Sequence, residues 1–269
     1  MGKMAVIADI HGNLGALEAV LEDASSAGVQ TFICCGDLVD YGPDPNEAVD
    51  RIKAAKIPCV LGNHDRAVGE SFPLEDHRTA PGRDRSVELA CLKWTRERCT
   101  EATKAFLRAL PPTLSIERQG LKILVVHATP ASVDDYLWPE DGEGWRELHR
   151  ATVGYDLALL GHTHLPLVRT MGDAAAGNTL YLNPGSVGKP RGGDPRANYA
   201  VVEFTGVKFT VLQSGSVAAG TAPINTAHAA RPEVEFRKVA YDAERTAARM
   251  QRYGLPQSTV KAIRNGSFT

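Results

Sequence analysis

Apolar residues in this chain fall in short runs cut by polar turns, and the period changes from run to run. Met4 to Ala8 is a continuous apolar stretch of strand length ending at Asp9, as expected of a strand buried on both faces. Leu14, Leu17, Val20, Leu21 and Ala24 come next at helical spacing. Gln30–Cys35, Pro45–Ala54 and Ile57–Leu61 continue as strand, helix and strand. This alternation predicts β-α-β units with parallel strands and right-handed crossovers. Gly69–Arg85, rich in Pro, Gly and charge, reads as a loop suited to act as a lid. Ser86–Leu110 is helical in period and Pro111-Pro112 ends it. Leu114–Glu117 and Lys122–Val126 flank Gln119-Gly120 as a hairpin, Trp145–Thr152 is a short helix, and Leu157–Leu160 is another strand.

Beyond Gly161 strands dominate. Leu165–Thr170, Thr179–Leu182, Tyr199–Phe204 and Lys208–Gln213, separated by Gly-rich turns, read as a second, more antiparallel sheet packed on the first. Ser214–Pro232 is rich in Ala, Gly, Ser and Thr and reads as a linker or surface loop. Val234–Tyr241 is a last strand, Asp242 caps a helix to about Arg252, and Leu255–Arg264 adds another helix. The expected organisation is one domain over 1–213 with a helical or loop insertion at about 67–112, a linker at 214–232, and a strand-helix extension at 233–269 packing on the same domain.

Composition narrows the class. Hydrophobic residues at 43% and charged residues at 23% are those of a soluble globular protein, and no apolar run is long enough to span a bilayer. A net charge of −2 supplies no field for broad nucleic-acid binding. The basic clusters Lys93–Arg98 and Arg245–Arg252 read as solvated helix faces. The five cysteines include no Cys-x-x-Cys pair, and Cys34, Cys35 and Cys59 lie in apolar runs as small core residues. Cleaving a signal peptide would remove Asp9, so the expected location is the reducing cytoplasm.

The candidate chemistry sits where the strands stop. Asp9-Ile10-His11, Gly36-Asp37, Gly62-Asn63-His64, His127 and Gly161-His162-Thr163-His164 each come directly after an apolar run, and they hold five of the eight histidines. In open α/β sheets, ligands bind beyond the carboxyl ends of the strands. Mixed nitrogen and oxygen donors suit Mn, Fe or Zn better than Ca or Mg alone. One ion cannot use so many ligands. Two adjacent ions sharing Asp37 would, and two-metal sites serve displacement at phosphorus.

All five blocks in this order resemble the calcineurin-like metallophosphoesterases, of the small bacterial phosphodiesterase type. The layout is similar as far as about Phe204. The resemblance implies an α/β fold: a four-layer α-β-β-α sandwich of two facing mixed sheets with outer helices. It implies two divalent ions, Mn foremost. Asp9, His11, Asp37 and His164 would hold the first, and Asp37, Asn63, His127 and His162 the second. His64 would face the phosphate as general acid or transition-state donor. Asp40 would orient it, or else cap a turn before Pro43. Asn13 suits a phosphate donor or a turn. Arg66, Lys189 and Arg191 suit contacts to the far part of the substrate, or solvent. In the eukaryotic-type protein phosphatases an arginine stands where Tyr41 stands here, and a glutamate at Asp65. That departure favours a phosphodiester monoanion. The expected substrate is a small soluble nucleotide or cyclic nucleotide attacked by water that the ions activate. A phosphomonoesterase is the alternative, with a nuclease or a non-catalytic scaffold behind it.

Overall fold

A computed structural model describes residues 2–74, 78–79, 82–173, 177–204 and 232–267. Two sheets carry the architecture. In the first, β1 (Gly2–Ile7) lies parallel to β2 (Thr31–Cys34) on one side. On its other side β1 is antiparallel to β8 (Ala197–Phe204), which pairs in turn with β9 (Glu233–Val239). The second sheet runs β3 (Thr113–Arg118), β4 (Leu121–Val126), β5 (Leu157–Leu159), β7 (Gly177–Pro184) and β6 (Pro166–Asp173). Its three inner strands are parallel and its two edge pairs antiparallel.

Side-chain alternation along the strands makes the layers. Ala5 and Ile7 face a core shared with Leu17 and Val20 of α1 (Leu14–Ser26) and Val49 and Ile52 of α2 (Pro45–Ala54). Met4 and Val6 face the other way, onto Val125, Leu157 and Leu159 of the second sheet. Leu124, Ala158 and Tyr181 then meet Trp145 and Leu148 of α6 (Gly142–Ala151). The fold is therefore the four-layer α-β-β-α sandwich of two mixed sheets.

Four expectations need correction. β8 belongs to the first sheet, not the second. It is almost wholly buried along its length, and pairing between β1 and β9 covers both its edges. The run Ile57–Leu61 is no full strand. Its pairing stops at a bridge between Cys34 and Cys59, with two hydrogen bonds around Cys34, because Pro58 has no N–H to extend it. The helix expected over Ser86–Leu110 is two helices, α4 (Arg85–Arg98) and α5 (Glu101–Arg108). Cys99 is extended, and Thr100 restarts the helix by accepting from the Thr103 N–H. Finally, Arg96 is no solvated charge: its guanidinium donates to the carbonyls of Ala67 and Phe72.

Residues 63–70 form a helix, α3 (Asn63–Glu70), which runs into the segment expected as a lid. The remainder of that segment is only partly described. The expected strand Lys208–Gln213 and nearly all of the expected linker lie outside the described residues. At the C-terminus, α7 (Ala243–Arg252) and α8 (Gln257–Asn265) pack through Ala247, Met250, Val260 and Ile263 on Cys91 of α4 and on Tyr41. Among the described residues no helix is long and apolar enough to cross a membrane.

Candidate active site

Four strands stop at one rim of the sandwich, and each delivers its block there. Asp9 and His11 come after β1, Asp37 after β2, His127 after β4, and His162 and His164 after β5. Backbone hydrogen bonds tie these loops together. The N–H of Asp9 donates to Gly36 O, that of His11 to Asp37 O, and that of Gly161 to His127 O. The sheets are stitched across the gap by the His162 N–H, which donates to both Asp9 carboxylate oxygens at 3.1 Å. The loop after β7 closes the rim, with Gly188 N–H on Asp9 O and Ser186 Oγ donating to the same oxygen. A Cβ on Gly188 would lie 1.8 Å from Ile10 O, and one on Gly62 would lie 2.1 Å from Asp37 Oδ1. Only glycine allows these approaches.

The backbone at the rim is strained. Asp9 (φ 55°), His11 (49°), Asp37 (56°), Asp40 (78°), Tyr41 (63°), His162 (68°) and His164 (61°) all adopt the left-handed region. Each such residue costs of order 1–3 kcal/mol and persists where the surroundings over-determine it. The strain explains how neighbours in sequence part company. In an extended chain His162 and His164 would point the same way, but in these turns they diverge. Asp9, His11 and His164 bring one donor atom each within 4.8 Å of one another, and Asp37, His127 and His162 do likewise. Asn63 joins the second group, its Oδ1 lying 3.1 Å from His127 Nε2.

The donor chemistry fits metal ions. His11, His127 and His164 each direct Nδ1 at a backbone carbonyl: Val39 at 3.2 Å, Cys35 at 2.7 Å and Lys189 at 2.7 Å. A nitrogen facing a carbonyl must carry the proton, so in the neutral ring Nε2 carries the lone pair, the arrangement typical of metal-bound histidine. The Nε2 atoms of His11 and His164 then face each other at 3.1 Å, two lone pairs that call for a cation. The buried Nε2 of His162 has no hydrogen-bond partner among the described residues. Burial, with neighbouring positive charge, holds His11, His162 and His164 well below the ordinary imidazole value and thus neutral, as ligands require. Asp9 is pushed by burial up to about 7. Burial would lower His127, but Asp37 beside it overrides this and lifts it to about 10. A proton there does the neutralising that a metal ion would do.

His64 stands beside these groups as residue two of α3. Its N–H donates to Asp37 Oδ1 at 2.9 Å and its Nδ1 donates to Asp40 Oδ2 at 2.7 Å. Asp40 is fixed by the Tyr41 N–H and the Thr95 hydroxyl. Burial opposes charge on His64, but Asp37 and Asp40 outweigh it and raise the imidazole above its usual value. Asp65, to which the motif assigns no role, locks the loops: its carboxylate accepts from Leu38, Val39 and Gly62 N–H groups.

The residues expected at the far part of a substrate divide. Asn13 is fully committed within the fold: Oδ1 caps α1, and Nδ2 donates to Gly188 O and the Tyr241 hydroxyl. Arg66 forms an ion pair with Asp134 at 2.7 Å. Lys189 is buried, with Nζ 3.3 Å from the centre of the Tyr41 ring, and Arg191 lies over Trp138. The motifs give no sign of Tyr136, whose ring packs 3.9 Å from that of His162. Nor do they signal Glu88 of α4, which accepts from the Tyr41 hydroxyl, or Arg83 in the turn before it, which pairs with Glu88. All three approach from elements that carry no ligands.

Residues 3–206 match the calcineurin-like phosphoesterase superfamily domain. The uncharacterized protein MJ0912 of Methanocaldococcus jannaschii is 32% identical over 227 residues, which are 78% of this chain and 86% of that protein. Phosphodiesterase YfcE of Escherichia coli K12 is 26% identical over 235 residues, 82% of this chain and 98% of the enzyme. A solved metallophosphoesterase from Sphaerobacter thermophilus superposes with a TM-score of 0.71 at 28% identity, covering 98% of this chain and 99% of the other. With two clusters at its strand ends that could hold metal ions, this chain belongs to the calcineurin-like metallophosphoesterases, hydrolases of phosphoric esters.

Proposed function

We propose that this protein is a two-metal phosphodiesterase for a small soluble substrate, a nucleotide or cyclic nucleotide, working in the cytoplasm with Mn²⁺ and with Fe or Zn as alternative ions. The observation that carries this reading is the placing of Asp37. Its Oδ2 is 3.8 Å from His11 Nε2 and 3.3 Å from His127 Nε2, so one carboxylate reaches both clusters. Similarity to phosphodiesterase YfcE supports the diester preference. A cytoplasmic setting suits the five buried, free cysteines.

Two divalent ions bound here would supply Lewis-acid charge to the phosphate and would lower the pKa of water. Asp9, His11 and His164 would hold one ion and Asn63, His127 and His162 the other, with Asp37 within reach of both. The carbonyls of Val39, Cys35 and Lys189 keep the histidine lone pairs aimed inward. His64, charged through Asp40 and Asp37, donates a proton to the leaving oxygen, and Asp40 holds its ring in line. Burial of the rim strengthens each of these interactions.

The test is to strip the protein with chelator, restore Mn²⁺, and measure turnover of bis-(p-nitrophenyl) phosphate against p-nitrophenyl phosphate. Turnover is expected to vanish on stripping and to return with about two ions per chain, the diester being the faster substrate. Undiminished activity of stringently metal-free protein would sink the proposal. A faster monoester would move the reading to a phosphomonoesterase.

A further inference from the structure

Helix α4 carries none of the ligand motifs, yet one of its faces meets the groups around His64. Glu88, Cys91, Leu92 and Thr95 are its buried residues, and their helical spacing puts them on that one face. Glu88, at one end, accepts from the Tyr41 hydroxyl at 3.2 Å, and the ring of Tyr41 packs against that of His64 with centres 5.1 Å apart. Thr95, two turns on, donates its hydroxyl to Asp40 Oδ1 at 3.1 Å. Arg96, the next residue, donates to the Ala67 carbonyl in α3, the helix on which His64 stands.

The Thr95 bond bears on how Asp40 is presented. Both residues are fully buried. Asp40 divides its carboxylate between two sides. Oδ1 accepts from Thr95 and, at 2.8 Å, from the Tyr41 N–H, while Oδ2 accepts from His64 Nδ1 at 2.7 Å. The torsion that turns a carboxylate is broad when nothing restrains it. The Tyr41 N–H belongs to the adjoining peptide, so it anchors Oδ1 only from Asp40's own turn. Thr95 is a second anchor and comes from a separate element. Within a helix a threonine hydroxyl can return to the carbonyl four residues back, but the proton of this one goes to Asp40. With Oδ1 held by two donors, the plane of the carboxylate is set, and with it the position of Oδ2 against the imidazole.

We infer that Thr95 is a positioning residue for proton donation by His64, so that α4 aligns the acid at the rim through one hydroxyl. The inference rests on the phosphodiesterase reading above, in which His64 gives the leaving oxygen its proton. In the step itself, the oxygen of water forms a new bond to phosphorus and water loses one proton to solvent. The bond to the leaving oxygen breaks, and that oxygen keeps the electron pair and takes a proton from His64. Because Nδ1 is held by Asp40, the proton leaves from Nε2, and solvent later replaces it. Thr95 and Asp40 lose no proton and touch no reacting atom. Their part is the direction of the ring.

The experiment compares two esters that share one thymidine phosphate, TpT and the p-nitrophenyl ester, so that only the leaving oxygen differs. Full-length Mn²⁺-loaded protein is used, and bound metal is measured for each variant. Thr95→Val has nearly the shape of threonine and lacks the donor. It should lower kcat on TpT about tenfold, the scale of one hydrogen bond to a charged group, and change KM little. On the nitrophenyl ester, whose leaving oxygen departs well without a proton, the loss should be about twofold at most. Thr95→Ser keeps the hydroxyl and should recover most of the rate. In an Asp40→Asn background Thr95→Val should add little, because Thr95 acts through Asp40. Thr95→Ala serves the same comparisons if the valine variant does not fold. Equal losses on the two esters, no loss on either, or full additivity with Asp40→Asn, each with both ions bound, overturns the inference and leaves the phosphodiesterase reading standing. A wild type that hydrolyses neither ester overturns both.

Discussion

The two candidate metal clusters secure their histidines by different means. In the first, both His11 and His164 direct Nδ1 to a main-chain carbonyl, so both rings are fixed by hydrogen bonds. In the second, only His127 is held in this way. His162 is held by its own backbone, bonded to Asp9, and by the face of Tyr136. A hydrogen-bonded ring needs little reorganisation to accept an ion. A packed ring depends on whatever positions the packing residue, here a loop between β4 and α6. The first cluster is therefore expected to bind more tightly, with the second as the exchangeable one.

The largest effect tests what joins the clusters. Asp37→Asn should weaken both at once and lower turnover about 10⁴-fold, several kcal/mol of lost charge stabilisation, with bound Mn²⁺ falling in step. Elemental analysis of the purified variant checks it; two tightly bound ions would show that Asp37 is not shared. Next comes His64, which belongs to neither cluster. His64→Asn should retain both ions yet lose about 10²-fold or more on a nucleotide diester, where the leaving alkoxide needs a proton. On a nitrophenyl ester the loss should be smaller. A plot of rate against leaving-group pKa should be steeper for the variant; parallel lines would limit His64 to holding phosphate. Asp40→Asn should show the same pattern more weakly.

Tyr136→Leu probes the asymmetry itself. Loosening His162 should weaken one of two Mn²⁺ binding steps about tenfold and leave the other unchanged, read by calorimetric titration. If both steps weaken together, the clusters are one cooperative unit. The smallest effect is a control remote from the rim. Arg237 pairs with Asp23 at 2.8 Å, and this hydrogen bond first of all holds the Asp23 carboxyl below its usual value. A depressed carboxyl stabilises the fold above its unfolded pKa, and the contribution fades as pH falls through the lower folded value. Arg237→Met should therefore lower Tm slightly near neutrality, with the gap to wild type closing in acid. Partly exposed pairs of this kind contribute about 0.2–1 kcal/mol. Metal binding should not change.

The sequence by itself determined the candidate ligands and the rim on which they gather. Asp9, Asp37, His127 and His164 each lie just past an apolar run of strand length. Parallel strands carry the residues beyond their carboxyl ends to one edge of the sheet. Local signals also sufficed for α1, α7 and the β3–β4 hairpin, since period and caps act over a few residues. Tertiary structure decided the rest, because it depends on contacts between distant segments. β8 returns to β1 through pairing that no local pattern records. His162 and His164 part only because both turns are forced into left-handed backbone. Which lone pair His11, His127 and His164 present was set by carbonyls from two other loops. Tyr136, Arg83 and Glu88 reached the site from elements that carry no motif. Sequence period reports which face of an element is buried; it does not report what the fold places against that face.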